Sequence, residues 1–221
     1  MARLPRLVVP GVVHVVVWRA LDGLSVFADD DDRALFLEAL RAAIDARDVQ
    51  LLAWALPDHE VQLLLRPETE EALARTMQTL GRRFVAAYNR RHRRSGTLWD
   101  GRFRTAVIEP GVHTLQALQL VDALATEAGS ASGSASSRLG GRREPMLRDP
   151  PEYWALGNTP FDREAAYREL LAQGLPAAVP QALARALRSG WIFGSPAFVR
   201  QIAQAVDRPA EPRPRGRPRR A

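Results

Sequence analysis

The sequence contains no cysteine and no lysine. Without cysteine, the chain can form neither a disulfide nor a thiolate metal site, and nothing in it points to secretion, so we expect a cytoplasmic protein. Long hydrophobic runs are also missing. The apolar stretch at residues 12–17 is interrupted by His14 and preceded by Pro10 and Gly11, and it is too short to cross a bilayer. We therefore predict a strand there and no contact with a membrane.

All 31 basic residues are arginine, and the formal net charge is +6. Guanidinium groups bind phosphates and guanine edges bidentately, so this excess of arginine favours a nucleic-acid partner. A GC-rich genome would also favour arginine codons, which explains the missing lysine but not the clustering of the arginines. With 221 residues and 46% hydrophobic content, the chain is large enough to bury a real core, which excludes a disordered protein.

Hydrophobic periodicity predicts an α+β fold with an antiparallel sheet, in which strands and helices follow in the ferredoxin-like order βαββαβ. Gln50–Leu56 and Glu60–Arg66 read as a hairpin, because a Pro-Asp-His turn joins them. The other two strands are expected at residues 12–19 and 105–108. The helices are expected from Asp29–Asp32 through Ile44, from a cap at Thr69 through Ala87, and over residues 110–128.

Composition divides the chain into four parts. Residues 1–128 carry the βαββαβ pattern. Residues 129–145 are rich in glycine and serine and have no periodicity, so we predict a flexible linker that cannot pack. Residues 146–206 contain short helical patterns and form a small helical accessory region, while residues 207–221 are an Arg/Pro-rich tail without core-forming residues.

Several short motifs follow one another in the order found in a known family. They are Pro10-Gly11 with His14 and Arg19, Val26-Phe27 before an acidic helix start, the strand Leu63–Leu65, Gly81-Arg82-Arg83, Tyr88–His92, and Gly96–Arg104. Over roughly residues 1–128 the chain resembles the single-tyrosine transposases of the His-hydrophobe-His class, especially those associated with repetitive extragenic palindromes (REP). The resemblance implies a ferredoxin-like core, usually paired as a homodimer, that nicks and rejoins single-stranded DNA at hairpins.

The resemblance also implies a catalytic site, whose residues are replaced here. In the family, two histidines on one strand hold Mg²⁺ or Mn²⁺, and a tyrosine on the third helix attacks the phosphate. The histidine positions are occupied by Glu60 and Gln62, the tyrosine position by Leu120, and the polar position one turn later by Leu124. We therefore predict no intact catalytic residue, no metal site and no cofactor. A magnesium site built from the Glu60 carboxylate and the Gln62 amide is the alternative to a solvated strand edge, which we favour.

Arginines are concentrated between Gly81 and Arg104, where Asp100 is the single acidic residue. Such a density neutralises backbone phosphates. Aromatic residues lie among the arginines and suit unstacked bases, although core packing is an equal alternative for Trp99. The residues of this region that we predict to bind DNA are Arg82, Arg83, Arg90, Arg91, Arg93, Arg94, Trp99, Arg102 and Arg104.

The tail contains the sequence Arg215-Gly216-Arg217-Pro218, which resembles an AT-hook. Proline and glycine hold such a segment extended, and Arg215 and Arg217 would enter the narrow minor groove of an A·T-rich duplex. A basic solubilising tail is the alternative.

The sequence as a whole predicts a transposase-family DNA-binding protein. It would recognise hairpin or single-stranded DNA, such as REP-like palindromes, after losing its catalytic residues. Two alternatives remain. One is an active transposase that performs metal-dependent cleavage and rejoining with relocated residues, and the other is a remnant of a mobile element without a selected function.

Overall fold

Five strands and seven α-helices form the part of the chain that the structure describes. The computed structural model describes residues 6–46, 48–127 and 133–206. The elements are β1 (His14–Arg19), α1 (Asp30–Asp45), β2 (Val49–Ala55), β3 (Glu60–Pro67), α2 (Ala72–Arg91), β4 (Arg104–Ile108), α3 (Val112–Glu127), a short 3-10 helix (Ala135–Arg138), α4 (Pro151–Trp154), α5 (Pro160–Gln173), α6 (Ala178–Ser189), β5 (Ile192–Phe193) and α7 (Pro196–Ala205). In these ranges no helix combines the length and apolarity needed to cross a bilayer.

The strands form one sheet in the order β2-β3-β1-β4-β5. Strand β1 pairs antiparallel with both β3 and β4, and β2 pairs antiparallel with β3. The first four strands and the helices between them therefore have the predicted βαββαβ connectivity, and the predicted α+β fold class is confirmed. Strand β5 adds an edge that the sequence analysis did not predict, and it pairs parallel with β4.

The two faces of the sheet are covered by different helices. Val16, Leu63 and the neighbours that point the same way pack against α1 and α2 in one core, and we call this side the α2 face. Val15, Leu64 and their neighbours pack against α3 and the C-terminal helices in a second core, on the side that we call the α3 face. Successive residues of a strand point to opposite faces. Each central strand is therefore apolar on both faces.

The helix that follows the hairpin begins later than predicted. Helix α2 starts at Ala72 with Glu71 as its N-cap and no side-chain cap. Thr69 contributes its carbonyl, which accepts a hydrogen bond from the Ala72 amide at 3.3 Å. The expectation that Thr69 caps this helix is wrong, because a turn separates the threonine from the first helical residue. At α1 the expected start is correct, since the Asp29 side chain caps the helix by accepting from the Asp32 amide.

The predicted linker packs against the core where the structure describes it. Gly133 forms a bridge with Ala55, and Ser134 and Arg138 are buried. A Cβ atom at Gly133 would lie 2.0 Å from the Cβ of Ala125, so the glycine permits a close approach to α3. Residues 129–132 lie outside the described residues. The interpretation that the linker cannot pack is wrong for residues 133–139, because Gly133 allows a close approach and Ser134 and Arg138 are buried against the core.

A buried carboxylate on α3 holds this segment in place. Asp122 accepts hydrogen bonds from Ser134 Oγ at 2.9 Å and from the Tyr167 hydroxyl at 2.8 Å. Arg138 Nη1 lies 3.1 Å from Asp122 Oδ2, and the same guanidinium donates to the Leu52 carbonyl. Burial raises the pKa of the Asp122 carboxyl, and the Arg138 charge opposes that rise. The contacts join α3, β2, the 3-10 helix and α5 into one layer.

We predict that Arg138→Met destabilises the protein strongly. The change leaves the Asp122 carboxylate buried without its counter-ion, and removing one partner of a buried ion pair costs about 3–5 kcal/mol. Arg143→Met is the matched control, because Arg143 and Arg138 both lie next to Asp149. The Arg143 side chain is largely exposed, and it lies 3.2 Å from the Asp149 carboxylate. Such an exposed pair contributes about 1 kcal/mol or less. Urea unfolding measures both, and equal losses would contradict the central role of Arg138.

Candidate nucleic-acid interface

The four positions at which the family resemblance implies catalytic-site residues are called the family positions, and they lie on the α3 face of the sheet or on the helix that covers it. Glu60 and Gln62 alternate with Val61, which belongs to the core of the α2 face, so their side chains point to the α3 face. Leu120 and Leu124 are partly buried and pack against the core of that face. The structure thus brings Glu60 and Gln62 together and places Leu120 on the helix above.

The Glu60 carboxylate is already satisfied by hydrogen-bond donors. Gln62 Nε2 donates to Glu60 Oε1 at 2.6 Å, and Arg19 Nε donates to Glu60 Oε2 at 3.3 Å. A hard cation needs oxygen ligands that are free to coordinate it, and a neighbouring guanidinium repels it. Among the described residues, no group of three or more His, Asp or Glu side chains could hold a metal ion. The donor set at Glu60 and Gln62 therefore does not fit the divalent metal that the family resemblance implies.

The four histidines contact partners away from this pair. His14 is fully buried, with Nδ1 2.8 Å from the Val12 carbonyl and Nε2 accepting from the Val9 amide at 3.2 Å. Burial lowers its pKa to about 4, so the imidazole is neutral and structural. His59 lies 3.1 Å from the Leu24 carbonyl, and His92 lies 2.7 Å from Asp32. His113 lies 3.0 Å from Glu109.

A stripe of exposed arginines runs along α2 and into the turn that follows it. These side chains have no ion-pair or hydrogen-bond partner among the described residues. Arg83 and Arg90 are seven residues apart, which corresponds to two helical turns and about 10 Å along one side of the helix. The sequence analysis missed Arg75, although Arg75 precedes Arg82 by the same seven residues. We call this set the α2 stripe, and its members are Arg75, Arg82, Arg83, Arg90 and Arg93.

Arg91 has a different environment from its neighbour Arg90. Its guanidinium lies 2.7 Å from Asp29, 3.1 Å from Asp31 and 2.5 Å from Asp32, at the start of α1. Hydrogen bonds from Arg91 to Asp29 and Asp32 raise the pKa of the Arg91 guanidinium. The pKa of the Asp29 carboxyl is lowered, because Asp29 accepts hydrogen bonds from Arg91 and from the Asp32 amide. The residue therefore clamps the end of α2 to the start of α1 and stands apart from the α2 stripe.

The aromatic residues among these arginines are core residues. Trp99 is only 4% exposed and stacks on Trp18, with 4.4 Å between the ring centroids. Tyr88 and Phe103 are buried as well, and the partly buried Arg94 lies over the Tyr88 ring. The prediction that Trp99 stacks on bases is wrong for this structure, because a base cannot reach a ring that is covered on its faces. Hydrophobic burial accounts for these aromatics instead.

A second group of exposed arginines surrounds the end of β1. In the strand register Val17 pairs with Gln62 on one side and with Arg104 on the other, and Arg19 pairs with Glu60. Directly opposed residues point to the same face, so Arg19 and Arg104 lie on the α3 face beside the family positions. Arg102 is exposed in the preceding loop. We call Arg19, Arg102 and Arg104 the β1-end rim.

Helix α2 packs closely on the end of β1. A Cβ atom at Gly81 would lie 2.7 Å from the Trp18 ring, so only glycine lets α2 approach the end of β1 this closely. Trp18 points to the α2 face and Arg19 to the α3 face, so the α2 stripe and the β1-end rim lie on opposite sides of the sheet. Arg215 and Arg217 of the tail lie outside the described residues, so their role stays a prediction.

Comparisons with known proteins identify the fold. No protein-family model and no curated protein matches the chain. One matching solved structure is the REP-associated tyrosine transposase bound to a REP hairpin, at 11% identity and a TM-score of 0.54, covering 69% of this chain and 93% of that chain. Another, a "putative transposase" from Deinococcus radiodurans R1, is 18% identical and covers 54% of this chain and 94% of its own, with a TM-score of 0.38. The first likeness shows that the chain has the fold of a REP-associated tyrosine transposase.

We predict that Arg91→Ala destabilises the protein and that Arg90→Ala does not. Arg91→Ala removes the clamp on three aspartates, one of them buried, and should lower the thermal midpoint clearly. Arg90→Ala removes an exposed side chain without a partner in the described residues, and the midpoint should stay within error. Thermal unfolding followed by circular dichroism compares the two, and equal midpoints would contradict the structural assignment of Arg91.

Proposed function

We propose that this chain is a transposase-family protein that binds hairpin or single-stranded DNA and does not cleave it. The single observation that supports binding most strongly is the α2 stripe, five exposed arginines without partners among the described residues. Guanidinium groups in such an arrangement neutralise consecutive phosphates. The structure with the same fold that is bound to a REP hairpin supports hairpin DNA as the partner.

The absence of cleavage is proposed from the side chains at the family positions. A leucine at position 120 cannot attack phosphorus, and its side chain packs against the core of the α3 face. The carboxylate of Glu60 is engaged by Arg19 and Gln62. Neither a nucleophile nor a metal ligand set of the family's kind is therefore supplied by these residues.

Three further parts of the proposal come from the sequence alone. The tail would add contacts to A·T-rich duplex through Arg215 and Arg217. The family resemblance implies a homodimer, and light scattering of the full chain at micromolar concentration tests it, since a strict monomer contradicts it. A cytoplasmic location is also part of the proposal, expected from the lack of cysteine.

We predict that replacing Arg82, Arg83 and Arg90 by alanine weakens hairpin binding and makes the affinity less dependent on salt. Each lost phosphate contact lowers the log-log slope against salt by roughly 0.7–0.9, so a loss of about two units is expected for the three residues. Fluorescence anisotropy with a labelled hairpin across a salt series measures both quantities.

The control replaces Arg185, Arg188 and Arg200, three exposed arginines of α6 and α7, and therefore removes the same charge elsewhere. If the two triple variants behave alike, the α2 stripe is not the binding surface. If the parent protein folds and shows no affinity for DNA, a remnant without selected function is the better account.

We also predict that the protein forms no covalent adduct with hairpin DNA and produces no nick in Mg²⁺ or Mn²⁺. The reason is that the residues at the family positions provide no attacking oxygen. Denaturing electrophoresis of labelled DNA after incubation measures both products, and anisotropy on the same samples proves that the DNA was bound. A metal-dependent adduct that survives denaturation would support the active transposase instead.

A further inference from the structure

We infer that Arg19, Gln62 and Arg104 form a site that binds one backbone phosphate of DNA directly, without a metal ion, and that Glu60 is the counter-ion displaced by that phosphate. The inference rests on the proposed DNA-binding function and deepens it. It assigns a specific phosphate contact to the face of the sheet on which the family positions lie.

The strand register supplies the geometry of this site. Gln62, Val17 and Arg104 stand side by side on three adjacent strands, and Arg19 and Glu60 form the next row. Neighbouring strands lie about 4.8 Å apart, so Gln62 and Arg104 flank the buried Val17 at about 10 Å from each other, and Arg19 is the diagonal neighbour of both in the next row. The long side chains of Arg19 and Arg104 can reach one phosphate at the end of β1. Because both rows belong to the central strands, the site has a rigid base.

The backbone around Arg19 is fixed by hydrogen bonds. Its carbonyl accepts from the Asp100 amide at 3.0 Å, and the amide of Ala20 donates to the His59 carbonyl at 2.8 Å. The strand end therefore does not need to reorganise when a ligand binds. Backbone that is already ordered before binding loses no further conformational entropy, which favours affinity.

The charge of the site is positive despite Glu60. Two guanidinium groups stand against one carboxylate, and the Arg19 side chain is 67% exposed while that of Glu60 is 21% exposed. Arg19 contacts the carboxylate through Nε alone, so its two terminal nitrogens point to no partner among the described residues. A phosphate can bind these nitrogens and compete with Glu60 for the whole guanidinium. Arginine forms such bidentate contacts with phosphate readily.

The neighbourhood favours a phosphate that belongs to a nucleic acid. Arg102 is exposed in the loop before β4, so the β1-end rim offers three guanidinium groups close to one strand end. A DNA backbone carries consecutive phosphates that can contact all three, whereas a free inorganic ion cannot.

The test uses the full-length chain and compares Glu60→Gln, Arg19→Gln and Arg104→Gln, with Arg200→Gln as the control for removal of an exposed arginine. Affinity for a labelled hairpin is measured by anisotropy in EDTA and in Mg²⁺, across a salt series. Circular dichroism confirms that each variant is folded.

In EDTA we expect Glu60→Gln to tighten binding by roughly 1.5- to 5-fold, the fold-change that corresponds to breaking an exposed ion pair. Arg19→Gln and Arg104→Gln should each weaken binding and lower the salt slope by roughly 0.7–0.9, and Arg200→Gln should do neither. All four effects should be the same in Mg²⁺.

Three outcomes would overturn the inference. If Glu60→Gln weakens binding and does so only in Mg²⁺, Glu60 is a metal ligand. Arg19→Gln and Arg104→Gln could have the same hairpin affinity as Arg200→Gln while the α2-stripe variant loses affinity. In that case DNA binds but does not reach the rim, so this inference fails and the proposed function is retained. If the parent chain binds no hairpin at all, both this inference and the proposed function fail.

Discussion

The buried carboxylate of Asp122 is the interaction on which the α3 side of the molecule depends. An ionised group taken out of water is costly unless hydrogen bonds and an opposite charge replace its hydration. Here Ser134 and Arg138 of the 3-10 segment and Tyr167 of α5 supply them. The position of α3 over the sheet is fixed by these contacts, and with it the position of Leu120 beside the proposed phosphate site.

Arginine has three different roles in this chain, and the sequence alone does not separate them. Arg138 is buried as the partner of Asp122, and Arg91 is held by aspartates at the start of α1. Arg90 is the next residue in the chain to Arg91 and has no partner among the described residues. Adjacent helical residues point about 100° apart, so one faces α1 and the other faces away from it. Density of arginine predicts a basic surface, but the fold decides which arginines compose it.

The repeating part of the fold was predictable because its signals are local. The apolar run of β3 and the helical spacing of Leu73, Leu80 and Phe84 in α2 are recognised within a short window of sequence, and these three residues of α2 are fully buried. The failures involve partners that are distant in sequence. Trp99 stacks on Trp18, and Gly133 packs on Ala125 and β2, so neither environment is visible from neighbouring residues. A strand of two residues such as β5 is too short to show any periodicity.

The sequence predicted which face carries Glu60 and Gln62 but not the contacts that their side chains make. The resemblance placed Glu60 and Gln62 where ligands would stand, and both lie on the α3 face as the alternation requires. It could not show that Arg19 reaches the carboxylate, because that contact depends on the register between β1 and β3. A metal ion that binds a phosphate supplies positive charge, and so does a guanidinium. Arg19 and Arg104 can therefore preserve the attraction for a phosphate at this face, while the chemistry that a metal and a tyrosine would perform has no residue to carry it.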